Sequence, residues 1–450
     1  PFVAPAQGPG VLQPFPNPSM YLGVFSGTNP SASVNGQWWY RVDLNAIFEY
    51  LNGQAVPIST GGPARIIAGS ETLGGANVTV DSDIIVLPSS TLVTYGSVFF
   101  GRRLLVLGGG AWISSNPNAS STSPQENTYN IYGGLYLDGQ YIVGQYNADT
   151  IVTPTISNIL YSGTINVSGA LSVSSNATLS NVNIVGSGTL SVAAGYTLSL
   201  YTNLSVSTLT LAGGGAIFVA AGYTLSLSGA TVGIYSISGS GTLALSGTIT
   251  IPPSATSVWS FANNPYAPQP GAYIAQPGLT IDTEGVLVVY TPRSYGSGSD
   301  AFSFTYPPVF GSVNPSVTGA GMAIFGAFYD TIAGHPSVVG FTSQTLAPGA
   351  NSSASAPGAS ITGGLGLQIT SLSVLSAGTY VLELYTSSTW YNFIAQVYAG
   401  SATASFSNEA NPILIGVDGT GSCPVGYYTY VRNGANSSGT IVVSGLIYGG

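Results

Sequence analysis

The chain is 450 residues long, enough for about two to four domains, and 44% hydrophobic residues supply material for sizeable cores. Only 5% of its residues are charged, against roughly a quarter in an ordinary soluble protein, and the basic ones are six arginines with no lysine. The net charge of -9 comes with no basic stripe to follow a phosphate backbone, which excludes nucleic acid as the expected partner.

Solubility must then come from Ser, Thr, Asn, Gln and Tyr, which suits an extracellular shell or filament better than a dispersed cytosolic protein. Cys423 is the single cysteine, so no intrachain disulfide forms. Its thiol is either buried and inert or available to bond a second chain. The opening Pro1-Phe2-Val3, with no initiator Met, suits a chain whose leader has been cleaved. No run of about 18 apolar residues is uninterrupted, so no membrane span is expected. The most apolar stretch, 84–113, is broken by Pro88, several glycines and Arg102-Arg103, and reads as strands, with the Arg pair at a strand end or in a loop.

In chain order, residues 1–30 form a proline-rich extended arm. Pro1, Pro5, Pro9, Pro14, Pro16 and Pro18 rule out a helix or central strand there. The arm is either a loose terminus or a piece that lies along a neighbouring subunit. Residues 31–130 read as an N-terminal β domain, with hairpin turns at Asn35-Gly36 and Asn52-Gly53 and one short helix over 44–51 capped by Asp43. The stretch 114–128 has the composition of an exposed loop or linker. Asp138-Gly139, between alternating apolar runs, predicts a further hairpin.

A β-solenoid-like repeat region follows over 131–260. VAAGYTLSL stands at 192–200 and again at 219–227, VSSNATLS at 173–180 aligns with it, and GSGTL occurs at 186–190 and 239–243. Short runs such as LSVSTLTL alternate Leu or Val with Ser or Thr, as a strand with one buried face does. Self-similarity at 20 to 30 residues points to coils that bury their apolar faces by stacking. LGGGAWI at 107–113 echoes LAGGGAIF at 211–218 and reads as a repeated bend. Residues 261–341 read as a proline-rich β connector, with a short Gly/Ala helix over 319–335, and 342–364 as a second linker-like segment. Residues 342–450 end the chain as a β-sandwich of about seven strands. The expected fold is all-β.

Residues 150–281 contain no Asp, Glu, Lys, Arg or His, so the repeat zone offers no general acid or base. The nearest carboxylate pairs, Asp81/Asp83 and Asp282/Glu284, sit at i and i+2, on one face of a strand if the strand is regular. They read first as polar residues beside strand ends, and otherwise as the acid pair of a glycosidase. His335 is the single histidine, which with one cysteine removes most zinc and Cys-His arrangements. No metal and no cofactor is expected, and the chain is not read as an enzyme.

The aromatic doublets Trp38-Trp39, Trp390-Tyr391 and Tyr427-Tyr428 should place one ring of each on either face of a strand, leaving the other for subunit contact or, in a second reading, for stacking on sugar rings. Sequons occur at Asn77, Asn118, Asn166, Asn176, Asn203, Asn351 and Asn436, little more than chance gives in so Ser- and Thr-rich a chain; all are candidate glycosylation sites.

The repeats over roughly 150–260 and the strand pattern over 365–450 resemble those of β-solenoid adhesins and virion fibre or spike proteins. The composition resembles that of secreted filament, surface-layer and virion proteins of hyperthermophilic archaea. The resemblance is one of style, with no diagnostic motif, and transfers no functional residue. It implies a non-enzymatic structural and adhesive subunit outside the cell, whose partners are copies of itself and a cell-surface glycan or receptor. A polysaccharide-degrading spike enzyme and a monomeric carbohydrate-binding module are the alternatives.

Overall fold

The computed structural model describes residues 21–25, 29–30, 37–41, 46–51, 54–59, 64–153, 155–157, 163–261, 272–291, 315–327, 337–357, 366–386, 392–410, 412–416 and 428–449. Every helix or strand among them is a strand. The dominant body is a β-solenoid of about nine turns. The typical coil gives one strand to each of three faces, as in Leu104–Val106, Ala111–Ser114 and Gln125–Ile131, or Thr197–Tyr201, Leu204–Val206 and Thr210–Ala212, while in Ser70–Val80 and Thr91–Phe100 one long strand serves the second and third faces together.

Coils stack in parallel register. On the first face the ladder runs without a break from Ala64–Ile67 to Met322–Ala327. The third runs from Ser70–Val80 to Ser316–Thr318, and the second in two runs, the later one ending at Ala272–Ala275. The stack therefore passes the 131–260 stretch at both ends. Its outer coils carry no sequence repeat because they fill the same interior with different residues, Trp112 and Tyr129 near one end and Trp259 near the other.

Alternation sets the interior. Leu171, Leu190, Leu211 and Val232 stack inward on the third face, while Ala170, Thr189, Thr210 and Thr231 stack beside them facing out. A parallel ladder places like on like, so each aliphatic column is continuous and each coil buries its neighbour's exposed edge.

The repeated nonapeptide takes its meaning from the corners. Val192–Leu200 rounds the corner from third face to first, whereas Val219–Leu227 rounds the corner from first face to second. The offset is one coil, from Thr197 to Ala216, plus one face, from Ala216 to Thr224. The two copies build the same bend: Gly195 and Gly222 have φ of 82° and 84°, and the Tyr196 and Tyr223 amides donate to the Ala193 and Ala220 carbonyls at 3.1 Å. On the next coil Gly215 and Gly241 lie against them, where a Cβ would come within 2.4 Å of the Ala193 and Ala220 oxygens respectively. The repeat is thus a corner cassette, reused on different edges. VSSNATLS also differs from its alignment: Leu179 pairs with Leu200 and not with Leu198, a two-residue shift that keeps the inward side chains inward.

Other expectations are corrected. Residues 46–51, expected as helix, form a strand between Trp38–Arg41 and Gln54–Ser59, where Phe48 stacks on Trp39 with centroids 5.9 Å apart. The second of these antiparallel pairings closes at Leu51 and Gln54, on either side of Asn52-Gly53. The 319–335 helix is replaced by the strand Met322–Ala327, whose residues stay in parallel register with Val286–Thr291. Asp138-Gly139 joins two different faces, because a coil corner also needs a tight Gly turn; a Gly139 Cβ would lie 2.2 Å from the Gly110 oxygen. The stretch 114–128 is an excursion from one coil corner whose end, Gln125–Ile131, is a strand of the stack. In 342–364, Ser337–Leu346 and Asn351–Pro357 are strands.

The C-terminal residues form two antiparallel sheets. One contains Asn351–Pro357, Tyr428–Asn433, Gly378–Thr386 and Asn392–Ala399, and the last of these pairs with Met322–Ala327. The other contains Ser337–Leu346, Ile441–Gly449 and Gly366–Val374, with Ser405–Ser407 and Ile413–Gly416 beside the last. The first solenoid face therefore continues directly into the sandwich. Val288, Tyr290, Met322 and Ile324, which face out of the coil, are buried with Leu367, Val397, Val443 and Ile447 in the sandwich core.

Candidate functional site

The acid pairs do not converge. Asp81 is exposed at a corner, while Asp83 begins the strand Asp83–Val86, is 1% exposed, and pairs with Arg103 at 3.2 Å while accepting its backbone amide at 3.0 Å. Asp83 and Arg103 staple two successive coils. Asp282 stands in the outward column of the third face and accepts the Thr318 hydroxyl at 3.1 Å, and Glu284 is exposed in the following turn. Among the described residues no three His, Cys, Asp or Glu side chains are placed to hold a metal ion, and no helix is long and apolar enough to cross a membrane.

The doublets behave unequally. Trp39 is fully buried, its indole N–H donating to Asn29 Oδ1 at 3.0 Å. Tyr428, on an antiparallel strand of the sandwich, is 45% exposed. The side chain of Trp38, the residues Trp390, Tyr391 and Tyr427, and also His335 and Cys423, lie outside the described residues. Among the described residues the larger aromatic display is on the solenoid edges, which the doublets did not signal. Tyr196 and Tyr201 are exposed, Tyr201 meets Tyr223 of the next coil at 6.1 Å, and Tyr132 is 71% exposed against Phe99 at 5.4 Å. The repeated AAGY corner is the signal that places Tyr196 and Tyr223.

Of the sequons, Asn77, Asn118, Asn176, Asn203, Asn351 and Asn436 are exposed and Asn166 is half-buried on an outward strand position. Asn176 and Asn203 have a structural task. Each sits at a corner and its Oδ1 accepts a backbone amide of the next coil, Thr197 at 3.0 Å and Thr224 at 2.9 Å. Their Nδ2 atoms make neither of these bonds.

The most concentrated chemistry is inside the stack, where the sequence reading looked for none. Period-two alternation in QENTYNI and NADTIV turns Asn127, Tyr129, Asn147 and Asp149 inward, and that alternation was the available signal. Asp149, 1% exposed, accepts Ser114 Oγ and Asn127 Nδ2 on Oδ1, both at 2.8 Å, and the Tyr141 hydroxyl on Oδ2. Ser114 Oγ lies 2.7 Å from the Tyr129 hydroxyl. Trp112 stacks on Tyr141 at 3.9 Å, meets Tyr129 edge-on at 5.0 Å, and donates to Thr94 Oγ1 at 2.7 Å. Burial pushes the Asp149 carboxyl above its usual range, opposed by the bonds it accepts from Tyr141, Asn127 and Ser114. Burial, and then the nearby carboxylate, raise both tyrosines well above theirs. At neutral pH neither phenol is an available base.

No known family model matches the chain, and no curated protein is detectably similar to it.

Proposed function

We propose that this chain is a non-enzymatic structural and adhesive subunit of an extracellular assembly, a surface filament or a virion fibre or spike. The observation that carries the reading is the parallel stack itself. Across 163–251 its outward positions are mostly Ser, Thr and Ala, with no ionisable side chain other than tyrosine, so this surface has nothing with which to take or give a proton near neutral pH. What such a surface supplies is length, stiffness and a repeated edge of tyrosines.

Adhesion to a glycan or receptor is assigned to the exposed tyrosines, Tyr196, Tyr201, Tyr132 and Tyr428, whose faces suit sugar rings or a second copy of the chain. An origin in a hyperthermophilic archaeon or its virus accords with the lack of lysine and the scarcity of charge, and the exposed sequons accord with glycosylation. Of the arm expected over 1–30, Tyr21–Phe25 is a strand paired with Trp38–Arg41 and residues 1–20 lie outside the described residues; the segment 1–20 is assigned to a neighbouring subunit, so deleting it should abolish assembly and leave the far-ultraviolet dichroism unchanged, and normal assembly of that truncation contradicts the assignment. Incubation with host-surface polysaccharide separates this reading from a degrading enzyme. Retention without new reducing ends supports adhesion, and new reducing ends overturn it.

A further inference from the structure

The knot around Asp149 contains a nucleophile, an amide and a proton carrier in a buried interior. Ser114, Asn127 and Asp149 are each at most 1% exposed and are walled by Trp112, Tyr129 and Tyr141. The Asn127 amide is held in one orientation: its Oδ1 accepts the Gly96 amide at 2.7 Å, and its Nδ2 faces Asp149 Oδ1 at 2.8 Å, Ser114 Oγ at 3.1 Å and Asn147 Oδ1 at 3.2 Å. The Gly96 N–H polarises the Asn127 carbonyl in the direction in which negative charge would develop on attack. The Ser114 hydroxyl donates to a carboxylate that also touches the Asn127 nitrogen, so one oxygen, Oδ1, reaches both the proton to be removed and the group to be expelled.

We propose that Ser114 and Asn127 join in an intrachain ester, formed by the folded protein without any cofactor. Ser114 Oγ, which accepts from Asn127 Nδ2 at 3.1 Å, turns from that bond onto the face of the amide and adds to Asn127 Cγ as its proton passes to Asp149. The C–N bond then breaks, Asp149 returns the proton to the departing nitrogen, and ammonia leaves. One C–O bond replaces one C–N bond, nothing is oxidised or reduced, and Asp149 ends as it began. Holding the groups side by side replaces an encounter that would be negligible in water, and burial, which favours the protonated carboxyl, equips Asp149 to hold the proton between the two steps.

The product would staple the chain on either side of the excursion 115–124, at the corner from which that excursion leaves the stack. It would provide a covalent tie in a chain that, with one cysteine, has no intrachain disulfide.

The test is made on the full-length folded protein. The exposed loop 115–124 is nicked by limited proteolysis, the sample is fully denatured, and the fragments are weighed by mass spectrometry. The ester predicts that the two pieces stay joined, that their combined mass is one ammonia below that of the nicked sequence, and that hydroxylamine separates them. Ser114→Ala should leave them unjoined; Ser114→Thr, which keeps a hydroxyl, covers the case in which the alanine variant fails to fold and should join. Pieces that separate in the wild type overturn the proposal, as does a join that survives in Ser114→Ala. Tandem spectra that place the bond between residues other than 114 and 127 also overturn it. Loss of ammonia without a join reports cyclisation at an Asn-Gly step and counts against the ester.

Discussion

The coils over 91–152 and those over 163–251 share one architecture and differ in what fills it. The later coils stack Leu, Ile and Val in columns, as in Leu171, Leu190, Leu211 and Val232. The earlier ones hold Trp112, Tyr129 and Tyr141 around Ser114, Asn127 and Asp149. An aliphatic column is satisfied by any neighbour of about the right volume, so it can be repeated and even slipped by two residues, as Leu179 on Leu200 shows. A buried hydrogen-bonded cluster has one solution, in which every donor meets its acceptor. For this reason the repeat is visible in one half of the solenoid and absent from the other.

The largest effect that would sharpen this contrast is expected from Asp149→Ala. In the cluster before any ester forms, it leaves the Ser114, Asn127 and Tyr141 donors without their shared acceptor and should cost about 4 kcal/mol in equilibrium denaturation. Leu200→Ala, in the aliphatic half, removes a fully buried side chain between Leu179 and Val219 and should cost about 3 kcal/mol in the same assay. A loss at Asp149 no larger than a surface substitution would break the contrast.

The pH dependence should also divide the two halves. Burial holds the Asp149 carboxyl above its unfolded value, so protonation favours the folded state. Stability is therefore gained as pH falls from the raised folded value toward the ordinary carboxylate range near about 4, and is lost as pH rises back through that window. Glu383, raised by burial and opposed by Arg432, acts with the same sign from the sandwich. Thermal melting followed against pH should show the rise on acidification, and Asp149→Asn should flatten it while leaving the Glu383 contribution. The smallest effect is expected at a corner: Asn203→Ala loses the bond from the Thr224 amide and should cost about 1 kcal/mol.

Much of this architecture was legible in the chain. Alternating Leu and Ser announced strands with one buried face, and the recurrence of VAAGYTLSL announced coils. Its 27-residue spacing was misleading because the same corner serves two edges of a three-faced coil, so the interval is not a whole turn. The continuous apolar runs at 286–290 and 322–325 gave no alternation to read. They are buried on both sides, by the coil within and the sandwich without. LNAIFEYL has helical spacing as well as strand propensity, and the pairing of Phe48 beside Trp39 decides for the strand. The carboxylates were harder. Counting found pairs by proximity in sequence, whereas Asp149 matters because three other coil strands bring Ser114, Asn127 and Tyr141 to it.

The central claim, that a stack of coils whose middle, 163–251, carries no charged side chain serves as the shaft of an extracellular assembly, is tested most directly by negative-stain electron microscopy of native purified material, with its mass measured by light scattering on the same sample. The account predicts filaments or discrete multimeric spikes, with a mass several times the 45.6 kDa of one chain. A uniform population of 45.6 kDa monomers would contradict it.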